Sequence, residues 1–319
     1  MLYKLKPSIL ILVISALLSV PCGAAAEQAV KVRLQGPPAA GLLPLLWIQE
    51  TGALAGCAEL EIVISQDHQR GISLLATSDL DLLVTGVNVG AKAYAKGIDL
   101  FLVNTNTWGL DYLLTAGYAA ASWRDLEGRS LCLPLQGGPL DFLARYLLLK
   151  NGADPAKVDF VYLPSNNGAR TFQLGKVDAI ILPEPLVTIT LNSYADAVLS
   201  FDIQKEWGRL HAGEERIPFV GLFARGGFAQ EHAELLDLIS TAYQQGVDWV
   251  NEHPAEAAAL AAKHFGQPAA VVEQSLPRVH LQVYPRGEAR ELIELFFSAI
   301  LEFYPEMIGG ELPDDSFYY

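Results

Sequence analysis

The sequence predicts an α/β protein of two lobes, each a sheet flanked by helices, with a ligand cleft between them. Three observations lead there. Short apolar strands alternate with amphipathic helices from residue 30 to about 115, and again from 130 to 200. The second run repeats the order of the first without repeating its sequence. The turns after the strands carry glycine and small polar residues, at the carboxyl ends where open α/β sheets bind ligands.

Residues 30–34 alternate as a strand, and Gln35, Gly36 and Pro37 turn into a helix over 41–51 with Trp47 on its apolar face. Strands follow at 60–64 and 80–85, separated by a polar turn at 65–69 and a short helix at 71–76. Gly86, Val87 and Asn88 open a helix that runs through Lys96. Residues 100–103 and 111–115 are two more strands.

The second run begins with a strand at 131–133, a turn at Gly137, Gly138 and Pro139, and a helix from Asp141 to about Lys150. A strand at 159–163, a polar turn at 165–168 and a helix through Phe172 come next. The strand at 179–182 closes into Pro183, Glu184 and Pro185. A helix at 186–194 and a strand at 197–200 precede an irregular polar segment, 204–216, and a strand at 218–224.

The rest is helical. In 231–251 the apolar residues Leu235, Leu236, Ile239, Tyr243, Val247 and Val250 recur at helical spacing. The alanine-rich stretch 254–264 stops at Gly266, and 288–304 forms a final amphipathic helix. With no new sheet after residue 224, the chain crosses into a second lobe near 115 and returns near 218. The expected lobes are 27–115 plus 218–319, and 116–217, able to close around a ligand by hinge motion.

Lys4 and Lys6 precede an apolar run at 9–20, too short to span a bilayer. Gly23 and Ala24–Ala26 follow, so residues 1–26 read as a secretory signal. Cys22 raises a lipid anchor, but Pro21 stands where a small residue is wanted before the cysteine. Removing 1–26 takes two lysines and no acid, moving the formal charge from −14 to −16. So acidic a chain is a poor partner for nucleic acid, whose binding rests on Lys and Arg. Cys57 and Cys132 then remain, and Cys132 reads as a small core hydrophobe rather than half of a disulfide.

Several chemistries have no signature. The six histidines show no metal spacing, so no metal site is expected. No G-x-S-x-G, Walker A or dinucleotide fingerprint occurs, and no cofactor is expected.

Several strings in order resemble one family. They are V-T-G-V-N at Val84–Asn88, W-R-D-L-E-G-R from Trp123 followed by S-L-C-L-P, K-V-D-A-I-I-L-P-E-P from Lys176, and the strand opened by Pro218 and Phe219. In these the chain resembles the periplasmic solute-binding proteins of ABC importers, in the nitrate, sulfonate, taurine and thiamine-precursor (NitT/TauT) branch. The resemblance covers nearly all of the mature chain. It implies a periplasmic binding protein fold of type II-like plan, a small-molecule ligand between the lobes, and no catalysis. It also implies docking on an ABC permease with its ATPase. The chain is expected to be a periplasmic monomer, reaching the membrane only through that permease or a lipid on Cys22. The alternatives are an enzyme of the same fold, like the fungal pyrimidine synthases, or a ligand-sensing extracellular domain. Those synthases carry a cysteine cluster that this chain lacks.

Eight residues are the expected ligand contacts. Thr85, Gly86 and Asn88 lie where a strand passes into a helix, whose free N–H groups hold polar ligand atoms, although Thr85 and Asn88 also suit helix capping. Gly137 and Gly138 let a ligand approach backbone, or simply make a tight turn. Asn166 lies on a second-lobe turn. Glu184, between two prolines, offers a carboxylate to an amine or aminopyrimidine, or else a salt bridge. Trp108 offers a ring face for stacking on a flat or cationic ligand.

Overall fold

The computed structural model describes residues 29–319. The expected signal segment, with Cys22, lies outside the described residues. In chain order the elements begin β1 (Val30–Gly36), α1 (Leu43–Thr51), β2 (Ala58–Ile64), α2 (His68–Ala76), β3 (Leu82–Gly86), α3 (Val87–Ala95) and β4 (Leu100–Thr107). The second group is β5 (Asp111–Ala116), β6 (Ser130–Leu133), α4 (Pro139–Lys150), β7 (Asp159–Tyr162), α5 (Ser165–Gln173), β8 (Ala179–Pro183), α6 (Leu186–Ser193), β9 (Ala197–Asp202) and α7 (Ile203–Leu210). The chain ends with β10 (Val220–Arg225), α8 (Gly226–Glu231), α9 (Ala233–Glu252), α10 (Pro254–Phe265), α11 (Ala269–Ser275) and α12 (Arg286–Phe303).

Two five-stranded sheets form among the described residues, in the orders β2-β1-β3-β10-β4 and β7-β6-β8-β5-β9. They share one plan. Three strands run parallel, and the fourth position is an antiparallel strand, β10 in one and β5 in the other. Each of these antiparallel strands follows directly on a crossing between the lobes.

The crossing lies earlier than expected. Asp111–Ala116 pairs with β8 and β9 in the second sheet, so the chain changes lobes at residues 108–110. The return runs beside it: Ile217 N–H donates to the Trp108 carbonyl (2.8 Å) and Phe219 N–H to that of Thr107 (2.9 Å). A third segment joins them, with His280 N–H donating to the Gly109 carbonyl and Trp108 N–H to that of His280, both at 2.8 Å.

Two polar stretches expected to be irregular are helical. Residues 203–210 form α7 because the Asp202 carboxylate caps the N–H groups of Gln204 and Lys205, and because Trp207 gives the helix a buried face. The polar run at 165–168 is the first turn of α5.

The final helix does not belong to one lobe. Phe296 of α12 packs on Phe142 (5.8 Å between ring centroids) and Trp207 (5.5 Å) of the second lobe, and on Phe219 (6.4 Å) of the return segment. Cys57 and Cys132 lie in separate cores, one per lobe. No described helix is long and apolar enough to cross a membrane.

Close approach of α3 to β10 depends on Gly90, where an added Cβ would overlap the buried ring of Phe223. Gly90→Ala is expected to cost about 1–3 kcal/mol through overpacking. A lower urea midpoint at unchanged m would show it, and an unchanged midpoint would contradict it.

Candidate functional site

A cleft of about 730 Å³ lies between the lobes. The first lobe supplies Gly86 at the end of β3, Asn88 and Lys92 on α3, and His68 on α2. The second lobe supplies the turn after β6, including Gly137 and Gly138. Leu110 and Asp111 line it from the crossing itself, and Phe219 and Val220 from the return. The cleft therefore sits at the carboxyl ends of β3 and β6, where this class of sheet leaves helix N-termini facing a crevice.

Both glycine turns are built for close approach. Gly86 caps α3 in an extended conformation, and Val87 N–H is held by the Phe219 carbonyl (3.1 Å). Gly137 has φ of 69°, in the region that favours glycine, and Pro139 starts α4 at a position where no N–H is needed. The Asp141 carboxylate is used inside the turn. It accepts from Gly137 N–H (2.9 Å), Arg145 (2.8 Å) and the Tyr162 hydroxyl (3.0 Å).

Thr85 is buried and does not line the cleft; its hydroxyl meets His68 Nδ1 at 2.9 Å. That contact orients the imidazole, and burial lowers its pKa below the ordinary histidine value. His68 thus presents a neutral ring to the cleft.

Asp111 is the outlying group. It is 2% exposed, at the start of β5, and its backbone is clamped by the Gln204 amide, which donates to its carbonyl and accepts from its N–H, each at 3.2 Å. Among the described residues no hydrogen bond or ion pair reaches its carboxyl, and burial pushes its pKa up to about 7.

The eight expected contacts divide. Gly86, Asn88, Gly137 and Gly138 come together around the cleft. Trp108 is fully buried at the crossing, where Nε1 donates to the Gln282 carbonyl (2.8 Å) and the ring makes a T-shaped contact with Tyr284, so it leaves no exposed face for stacking. Asn166 stands exposed on the first turn of α5, outside the cleft lining.

Glu184 is buried and occupied. It accepts from Thr188 N–H and Thr188 Oγ1 (3.0 Å each) and pairs with Arg278 Nη1 (3.1 Å). It thereby ties β8 and α6 to the C-terminal part of the chain. Burial raises its carboxyl above the usual range in spite of these partners.

His68 and Asp111 were not among the expected contacts. Each had a local signal. His68 lies in the polar turn after the second strand, and Asp111 is an acid at the head of an apolar strand just past a glycine.

Solved structures of similar fold are numerous. One, of an ABC transporter from Parabacteroides distasonis, aligns with TM-score 0.78 at 18% identity over 91% of this chain and 99% of that one. The periplasmic aliphatic sulphonate binding protein SsuA of Escherichia coli gives 0.71 at 18% over 89% and 96%. The periplasmic nitrate-binding protein NrtA of Synechocystis gives 0.68 at 14% over 91% and 84%. At such identities the likeness shows the fold, the two-lobed α/β architecture of periplasmic binding proteins. A comparison with curated proteins finds no match. The sequence family described as NMT1/THI5 like matches residues 57–257, more than half of the chain, and the protein belongs to that family.

Proposed function

We propose that this protein is the extracytoplasmic solute-binding subunit of an ABC importer. It captures one small solute in the cleft, as a monomer, and delivers it unchanged to a membrane permease driven by an ATPase. One observation carries this reading: the cleft is walled by both lobes and by the segments that join them. Such a site is completed by closure of one lobe on the other, and α12, packed on both, restrains that motion from behind.

The contacts are Gly86, Asn88, Gly137 and Gly138, joined by His68 and Asp111. Within the sulfonate, nitrate and thiamine-pyrimidine class, Asp111 favours members that carry a protonated nitrogen, because a buried carboxylate without a partner gains most from a cation. Lys92, across the cleft on α3, suits an anionic group on the same molecule. The rest of the lining is mostly aliphatic, which suits a compact organic body.

The test is a thermal-shift panel of taurine, an alkanesulfonate, nitrate and an aminopyrimidine against the mature protein. A bound solute at a hundred times its Kd adds about 2.7 kcal/mol of stability, and mass spectrometry should recover it unaltered. A protein that is stabilised by none of the panel and carries no small molecule after purification would overturn the reading. A chemically changed solute would favour the enzyme.

A further inference from the structure

The crevice between the lobes runs past four strand ends, and one half of it is shut. The cleft of about 730 Å³ lies at β3 and β6. At the carboxyl ends of β1 and β8 the lobes meet instead around a hollow of about 20 Å³, room for about one water. Ala39, Ala40 and Leu43 line it from the first lobe, and Glu184 and Pro185 from the second. Leu110 of the crossing lines both the hollow and the cleft.

A row of polar contacts joins the lobes beside this hollow. On one side are Glu184 and α6 of the second lobe, and on the other α11 and the turn Leu276–Arg278 that follows it. Each side is anchored in its own lobe. Val187 of α6 is buried in a core with Leu114 and Leu182. Val272 of α11 is buried in the other with Ala258 and Ala261 of α10. Arg278 Nη1 reaches across to Glu184 Oε1 (3.1 Å) and Thr188 Oγ1 (2.9 Å). The Arg278 carbonyl accepts from the Tyr112 hydroxyl of β5 (2.8 Å). One helical turn farther out, Asn192 Nδ2 donates to Gln274 Oε1 (2.8 Å).

The row is graded from inside to outside. At its inner end the Glu184 side chain is fully buried, and Arg278 lies just before His280, which is hydrogen-bonded to the crossing. At its outer end Asn192 and Gln274 are exposed. Parting the lobes here trades every one of these contacts for water. Without the guanidinium the balance changes, because the shut arrangement strands a buried carboxylate and opening is what hydrates it.

We propose that Arg278 is an interlobe latch. It holds the half of the crevice at β1 and β8 shut, and its release joins that half to the cleft past Leu110. The opening through which a solute enters and leaves is then wider than the cleft that holds it. Arg278 does not line the cleft, so it acts on a solute through the position of the lobes.

The test places a thiol inside the hollow. Ser275 lines it and is 4% exposed. The thiol introduced by Ser275→Cys meets iodoacetamide only when the lobes part there. Cys57 and Cys132 are buried in the two cores and react only on wider unfolding. In the otherwise unchanged protein the introduced thiol should react more slowly than an exposed thiol and faster than either native cysteine. Its rate should barely change in low urea, because a local opening uncovers little surface, whereas the rates of the native pair should climb. Adding Arg278→Ala should speed it about tenfold, the equivalent of 1.4 kcal/mol. Adding Asn192→Ala, which removes only the exposed outer contact and leaves the cores intact, should speed it about threefold. A thiol as reactive as an exposed one would mean that nothing is shut. A rate that either variant leaves unmoved would mean that the row does not do the holding. A rate that climbs with urea as steeply as those of Cys57 and Cys132 would mean that only unfolding opens the hollow. Each of these results would overturn the proposal. No solute takes part, so the outcome is independent of the solute panel.

Discussion

Asp111→Asn is expected to stabilise the ligand-free protein above neutral pH and to remove its affinity for solutes with a protonated nitrogen. Burial raises the Asp111 carboxyl from its ordinary value of 3.8 to about 7. Between those values the folded protein keeps a proton that the unfolded chain has lost. Stability is therefore fullest below the lower value, falls as pH rises, and reaches its floor once the pH passes about 7. Integrated over that window the penalty is on the order of 4 kcal/mol, which bounds the gain from a neutral amide. Urea titrations at about pH 5 and pH 8 separate the two proteins, the parent losing more stability between them than the variant. Equal losses would contradict the account.

Binding should carry the same signature. A cationic solute needs the ionised carboxylate, so its affinity for the parent weakens about tenfold for each pH unit below 7, while the variant should bind it at no pH in the window. The charged groups that share the cleft are Lys92, Lys96 and Glu306. His68 is there too, its pKa lowered by burial, and stays neutral over the upper part of the window. Glu184 lies just past the neighbouring strand β8, but is paired with Arg278. A solute held through an anionic group on protonated Asp111 would give the opposite slope.

Arg278→Ala should produce the next largest effect, by stranding the Glu184 carboxylate. The Glu184 side chain is fully buried, and Arg278 donates both to it and to Thr188 Oγ1 (2.9 Å). Removing one member of a buried pair costs about 3–5 kcal/mol. Here Arg278 is itself 36% exposed, so solvent screens the pair and the loss should fall at or below the lower end of that range. Glu184→Gln, which leaves a neutral group with one oxygen still able to accept from Thr188, should cost less. In the double variant the two effects should fall short of adding, because both report one interaction. A loss for Arg278→Ala no larger than that of a surface substitution, about 0.5 kcal/mol, would mean that the pair holds nothing together.

The parts of this fold that depend on neighbours in sequence were legible before any coordinates. Gly86, Gly137 and Gly138 follow apolar strands and precede amphipathic helices, and those local facts place them at the cleft. Glu184 and Trp108 were read as cleft residues because both sit in loops at strand ends. What decides their roles lies far along the chain: Arg278 for Glu184, the Gln282 carbonyl for Trp108. No local pattern carries that information.

The crossing at 108–110 was hidden for a related reason. Asp111–Ala116 alternates in the same way whichever sheet receives it, and only its pairing with β8 and β9 assigns it. Helix α7 was obscured because its cap, Asp202, is also the last residue of β9. The importance of Asp111 lies in a carboxyl that no other described residue meets, a property of the assembled cleft rather than of the strand that bears it.

The most direct measurement is a crystal structure of the mature protein with whichever panel solute gives the largest thermal shift. The account predicts one solute between the lobes, touching the Gly86–Asn88 turn and the Gly137–Gly138 turn together, with a nitrogen at hydrogen-bond distance from the Asp111 carboxylate. A solute seated on one lobe alone, or one that leaves Asp111 without a partner, would contradict it.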